Sequence, residues 1–138
     1  MDFTSFRISA SALSANKTRM DTVSANLANI NTTRTAEGGP YKRQDVVFKS
    51  EPVNGFEGKL KAAMGVEVSK IEKDTAPPRL VYDPSHPDAD EKGNVAMPNI
   101  NLMQEMVDMM LATRSFEANA NAISASKAMF LKALDIGR

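Results

Sequence analysis

Leu13, Met20 and Leu27 follow Phe6 at steps of seven, and Val23 and Ile30 stand three places after Met20 and Leu27. Ser9 and Asn16 hold the equivalent earlier places, so the stripe is polar in its first half and apolar in its second. A seven-residue repeat marks the face of a helix that pairs with another helix. The pattern predicts a helix over residues 3–31, about 40 Å long at the usual rise per residue. It should close near Asn31, because asparagine tolerates the left-handed backbone at helix ends. A second repeat runs through Leu102, Met109, Phe116, Ile123 and Phe130, with Met106, Thr113, Ala120, Lys127 and Leu134 each four places on. Asn101 with Gln104 three residues later resembles a capping box. No proline or glycine interrupts the chain between Asn101 and Gly137. One helix of about 34 residues, roughly 50 Å long, is therefore predicted.

The segment between the helices reads differently. Residues 41–98 hold six of the seven prolines, and Pro40 stands at their border. Short β-prone runs at Arg43 to Lys49, Gly65 to Glu72 and Arg79 to Tyr82 predict strands. Pro77 and Pro78 mark an edge or a connection, and Thr32 to Pro40 reads as a loop through Gly38-Gly39-Pro40. The expected fold class is α+β: two long terminal helices paired as a coiled coil, with a small β-rich middle module. The division is 1–35, an N-terminal helix; 36–100, the β-rich module with its loops; and 101–138, the C-terminal helix. A module this small cannot cover about 50 Å of helix, so the first helix is the natural partner of the second.

Composition narrows the function. Seventeen basic residues balance seventeen acidic ones, so no overall field draws the chain to nucleic acid or to an anionic membrane. There is no cysteine, which excludes disulfides, thiolate metal sites and a cysteine nucleophile. The start, MDFTSFRISASALSANKTRM, lacks the basic and apolar regions of a cleavable signal peptide. No apolar run approaches the length of about 20 residues that spans a bilayer. The expectation is a soluble, uncleaved chain without direct membrane insertion.

Ser, Thr, Asn and Ala make up 20 of the first 35 residues. Asparagine is a poor helix former, because its amide competes for backbone groups. Asn26 and Asn29 therefore carry two readings: a solvated helix face ending in a cap, or a surface shared by many chains. The run Ser24-Ala25-Asn26-Leu27-Ala28-Asn29, with Leu13 and Met20 before it, resembles the N-terminal signature of flagellar axial proteins. Gly39 to Phe48, Val81 to Pro87, Val95 to Asn99, Glu105 to Met110, Arg114 to Asn119 and Lys132 to Ile136 narrow the resemblance to the FlgC family of flagellar basal-body rod proteins.

That resemblance implies a structural subunit of the proximal rod. Its terminal helices would assemble into a helical drive shaft transmitting motor torque to hook and filament, with the middle module facing outward. It implies partners: copies of the same chain, other flagellar rod proteins, and the rod-to-ring adaptor and export apparatus at the rod base. It also implies a place in the periplasmic or cell-wall zone of the basal body, reached by type III export without a cleaved signal. The expected assembly interface is Leu13, Met20, Asn26, Leu27, Asn29, Leu102, Met109, Phe116, Ile123 and Phe130. On this reading Asn26 and Asn29 bond across helices in the shaft wall, where unpaired groups are costly.

Other chemistry finds little support. His86 has no second histidine or cysteine with which to share a metal. Asp88 to Gly93 partly matches a calcium loop, but Lys92 stands at a ligand position and Asn99 at the place of the bidentate glutamate. Lys42-Arg43 reads as a solvated dibasic step. Met103, Met106, Met109 and Met110 cover more than one helix face, which suits a helix with several partners. No cofactor and no catalytic residue is expected. The alternatives are a helical adaptor or chaperone binding one client, which would stay monodisperse at any concentration, and an enzyme on the β module, which would need a convergent polar pocket.

Overall fold

The computed structural model describes residues 4–52 and 64–136. The parts of the expected spans at residues 1–3, 53–63 and 137–138 lie outside those described residues. Helix α1 is Thr4–Ala28, β1 is Gln44–Pro52, β2 is Met64–Lys73, β3 is Arg79–Tyr82, β4 is Asn94–Met97 and α2 is Leu102–Ile136. The architecture is α+β, with two terminal helices and antiparallel strands between them.

α1 is rich in poor helix formers and is stabilised by its packing on α2, β1 and β2, while several of its polar side chains bond back onto helix carbonyls. Asn16 donates to the Ala12 carbonyl at 2.8 Å and Thr22 to that of Thr18 at 2.9 Å. Such bonds satisfy the polar group without leaving the helix. The helix stops three residues before the expected Asn31. Ile30 N–H turns to the Leu27 carbonyl at 3.4 Å, and the Asn29 amide takes the Ala25 carbonyl at 2.9 Å. The last turn is thus tightened and partly capped by a side chain. α2 begins as expected: Asn101 Oδ1 accepts from the N–H groups of Met103 at 3.0 Å and Gln104 at 3.3 Å.

α1 and α2 pack side by side and run antiparallel, since Arg19 and Asn26 of α1 meet Asp108 and Glu105 of α2 respectively. The seam differs from the one expected. Its fully buried residues are Ala15, Thr22, Val23 and Asn26 on α1, and Glu105 and Ala112 on α2. On α2 the companion row lies three residues after Leu102, Met109, Phe116 and Ile123 rather than four: Glu105 and Ala112 are buried, and Asn119 and Ser126 half-buried. In the row four later, Thr113 and Ala120 are half-buried, none is fully covered, and Met106, Lys127 and Leu134 are exposed. Both rows neighbour the heptad positions on a helix surface, and the row containing the small Ala112 and Ser126 admits the closer approach. α1 departs for another reason. It packs against β1 and β2 as well as α2, so its buried set is not one stripe, and Phe6 stays 44% exposed.

The β-rich middle consists of two two-stranded antiparallel ribbons. β1 pairs with β2 from Gln44↔Lys73 to Pro52↔Met64, and β3 with β4 from Arg79↔Met97 to Tyr82↔Asn94. Between Val47↔Lys70 and Phe48↔Val68 the register shifts, leaving Ser69 as the extra residue of a bulge. Strand β4 is not among the strands the pattern predicts, yet its Val95 is fully buried, as is Pro98 just beyond it. Gly93 enters β4 at φ 78, and a Cβ there would lie 3.0 Å from the Tyr82 ring. Both constraints call for glycine.

Candidate functional site

The described residues converge on one buried polar junction, where α1, the segment leading into β1 and the start of α2 meet. Tyr41 to Arg43 lead directly into β1, which begins at Gln44. Tyr41 and Arg43 are half-buried toward the helices, and Lys42 is exposed. On α2, Glu105 and Asp108 lie three apart and so share a face.

Asn26 is the hub on α1. Its Nδ2 donates to the Gln44 carbonyl at 2.8 Å and to Glu105 Oε2 at 3.0 Å. Its Oδ1 accepts from Gln44 N–H at 2.9 Å and from the Tyr41 hydroxyl at 3.2 Å. An amide has two donors and two acceptor positions, so every valence is used inside the chain. Gln44 is gripped at both backbone groups, as a neighbouring strand would grip it. Glu105 is the hub on α2, and neither it nor Asn26 is exposed at all. Arg43 Nε donates to Glu105 Oε1 at 2.5 Å. The same guanidinium faces Asp45 at 3.6 Å and Asp108 at 3.7 Å. Asp108 reaches Arg19 of α1 at 3.5 Å, and the Arg19 guanidinium lies 6.0 Å from the centre of the Phe48 ring.

The electrostatics follow from this closure. Burial disfavours the charged form of Arg43, but the hydrogen bond and charge of Glu105, with Asp45 and Asp108, outweigh it and raise the pKa above the usual arginine value. Burial first, and the Glu105 carboxylate second, push the Tyr41 phenol upward. Among the described residues no buried side-chain polar atom lacks a partner. The Glu105 oxygens are bonded to Arg43 and Asn26. The cluster holds elements together and presents no free base or nucleophile.

The expected interface residues fall into three groups. Asn26 does bond across helices, to Glu105 of α2, and within the subunit its amide makes four bonds to its own chain. Asn29 is half-buried at the end of α1, its amide on Ala25 and its Oδ1 accepting from Thr32 at 3.0 Å. Leu13, Met20, Leu27, Met109, Phe116, Ile123 and Phe130 are half-buried, and Leu102 is exposed. Sequence reasoning missed Tyr41, Arg43 and Glu105 as a group. Alternation along Tyr41-Lys42-Arg43 was the available signal, since it separates Arg43 from its solvated neighbour.

A second feature is an apolar stripe on the outside of the same end of α2. Met103 is 68% exposed, Met106 52% and Met110 63%, with Val107 beside them. Steps of three and four place them on one face. In the β3–β4 loop, His86 Nδ1 accepts from Asp88 N–H at 3.1 Å, and Asp90 Oδ1 caps Lys92 and Asn94 N–H groups at 2.8 Å each. Among the described residues no three His, Cys, Asp or Glu side chains gather as a metal site, and no helix is long and apolar enough to cross a membrane.

Residues 6–34 match the family described as flagella basal body rod protein, and residues 91–136 match the flagellar basal body rod FlgEFG protein C-terminal family. The flagellar basal-body rod protein FlgC of Bacillus subtilis is 45% identical, covering 99% of this chain and 98% of its own length. That of Borreliella burgdorferi is 43% identical, covering 97% and 96%. That of Escherichia coli O6:H1 is 41% identical, covering 96% of each chain.

Proposed function

The chain belongs to the FlgC family of flagellar basal-body rod proteins, structural components of the rod, and from that premise we propose how it builds one. The subunit acts without catalysis. Its two terminal segments, residues 1–35 and 101–138, which carry α1 and α2, supply the contacts between subunits in the drive shaft, and residues 36–100 form the outward module. Torque from the motor passes through these contacts to hook and filament. The neighbours are copies of this chain, other rod proteins, and at the rod base the rod-to-ring adaptor and export apparatus. Export needs no cleaved signal and delivers the chain to the periplasmic or cell-wall zone. The adaptor alternative finds no support among relatives that are rod proteins.

One observation carries the assembly reading: the Met103, Met106, Val107 and Met110 stripe is solvent-facing while a carboxylate is buried beneath it. An exposed contiguous apolar patch marks a surface meant to be covered, and methionine adapts to more than one partner. Leu102 extends the stripe at its start. Leu13, Met20, Leu27, Asn29, Met109, Phe116, Ile123 and Phe130 would complete the contacts from their half-covered positions. Asn26 acts indirectly, by shaping the subunit that presents them. The test is the triple variant Met103→Ser, Met106→Ser, Met110→Ser. Secretion should continue while rods and motility are lost, and normal swimming would remove this stripe from the interface.

A further inference from the structure

We propose that Asn26, Arg43 and Glu105 form a latch that makes the position of the β1–β2 ribbon depend on the pairing of the two terminal helices. The inference goes beyond rod membership and rests on the geometry of the subunit alone. Asn26 holds the first residue of β1 by both backbone groups, but half of its donor capacity is directed to Glu105 on α2. Arg43, just before β1, reaches its closest anion on α2 as well. When α2 leaves the seam, the Asn26 amide loses an acceptor and the half-buried Arg43 guanidinium loses the carboxylate that compensates its burial.

A second link runs seven residues earlier on α1 and shares Asp108 with Arg43. Arg19 lies over Phe48 of β1 and pairs with Asp108 of α2, so it too joins all three elements. Two links of the same three-element form, about two turns apart on α1, tie ribbon to helix pair. A further polar tie between ribbon and α1 is a neutral bond, Val66 N–H to Ser11 Oγ at 3.1 Å. A subunit with its helices paired therefore carries its ribbon in one orientation, and a subunit with them unpaired releases it.

The cysteine-free chain permits a direct test by paired nitroxide labels on the full-length protein. Cysteines at the exposed positions Asp21 and Ser50 read the ribbon against α1, and cysteines at Lys17 and Ala118 read α1 against α2. Glu105→Gln keeps an acceptor for Asn26 but removes the charge facing Arg43. Arg43→Gln removes the ribbon-side group and leaves the Asn26–Glu105 bond in place, so it serves even if the first variant fails to fold. The wild type should give one narrow distance for each pair. In Arg43→Gln, and in Glu105→Gln if folded, the ribbon distance should lose its single narrow peak while the helix–helix distance keeps it. Narrow ribbon distances in Arg43→Gln would overturn the latch. So would joint broadening of both pairs in that variant, or a wild type whose ribbon distance is already broad.

Discussion

The first two turns of α2 present opposite chemistry on their two sides. Inward, Glu105 is completely buried; outward, its neighbours Met103, Met106 and Met110 are more than half exposed. An ordinary soluble helix turns its apolar side in and its charge out. Inversion at this site is informative in the way a buried polar group or an exposed apolar patch always is. It separates two tasks. Charge and amides inside fix how three elements of one subunit meet, and on the function proposed above the apolar surface outside is left for neighbours. The lesson is that the strongest apolar residues of a chain need not mark its own core.

The largest effect should come from the inner side. Glu105→Leu removes the anion from a half-buried guanidinium and an acceptor from a buried amide, and breaking such a pair costs about 3–5 kcal/mol. Denaturant unfolding of the purified chain measures it, and a loss below about 1 kcal/mol would fit a surface ion pair instead. Next comes Asn26→Ala. Alanine is the better helix former by a few tenths of a kcal/mol, but the change strands both backbone groups of Gln44, for a net loss of about 1–3 kcal/mol. A neutral or stabilising result would mean that the amide merely decorates a helix end.

A similar effect, about 1–3 kcal/mol, is expected for Ala112→Leu, which forces a larger side chain into the closest part of the seam. Unchanged stability there would return the seam to the row of Met106 and Thr113. The smallest effect lies far from the comparison and sets its scale. The backbone N–H groups of Asn94 and then Lys92 hold the Asp90 carboxyl below the usual aspartate range. Its folded pKa is depressed, so its contribution is present above the unfolded pKa and lost as pH falls through the folded one. Carboxyl NMR titration should find Asp90 of the folded chain ionising below the same residue in an isolated loop peptide.

Much of the frame is legible because long periodic helices and proline-bounded strands announce themselves. The cap and the uninterrupted run place α2 to within a residue, and the β-prone run at Arg79 to Tyr82 is β3 at its full span. The half-buried row of Met109, Phe116 and Ile123 follows from the heptad alone. Which companion row fits is not legible, since rows three and four residues on are equally near until the partner's size is known. β4 is hidden because Val95 is the only strongly β-forming residue in four. Arg43 looks like half of a solvated dibasic step, and Glu105 is one carboxylate among apolar residues. Their pairing joins positions 62 residues apart, and no local pattern carries that. Asn26 draws attention for a sound reason, an amide where a helix does not want one, but the partner that explains it belongs to its own chain.

The central claim is that the inward and outward sides of α2 serve different levels of structure. One paired measurement tests it most directly: unfolding free energy of the isolated chain and rod completion in cells, for the Met103→Ser, Met106→Ser, Met110→Ser triple variant. Exposed positions rarely change stability by more than about 0.5 kcal/mol each, so the account predicts near wild-type unfolding, normal secretion and no completed rods. Complete rods from this variant, or a collapse of subunit stability comparable to that of Glu105→Leu, would contradict it.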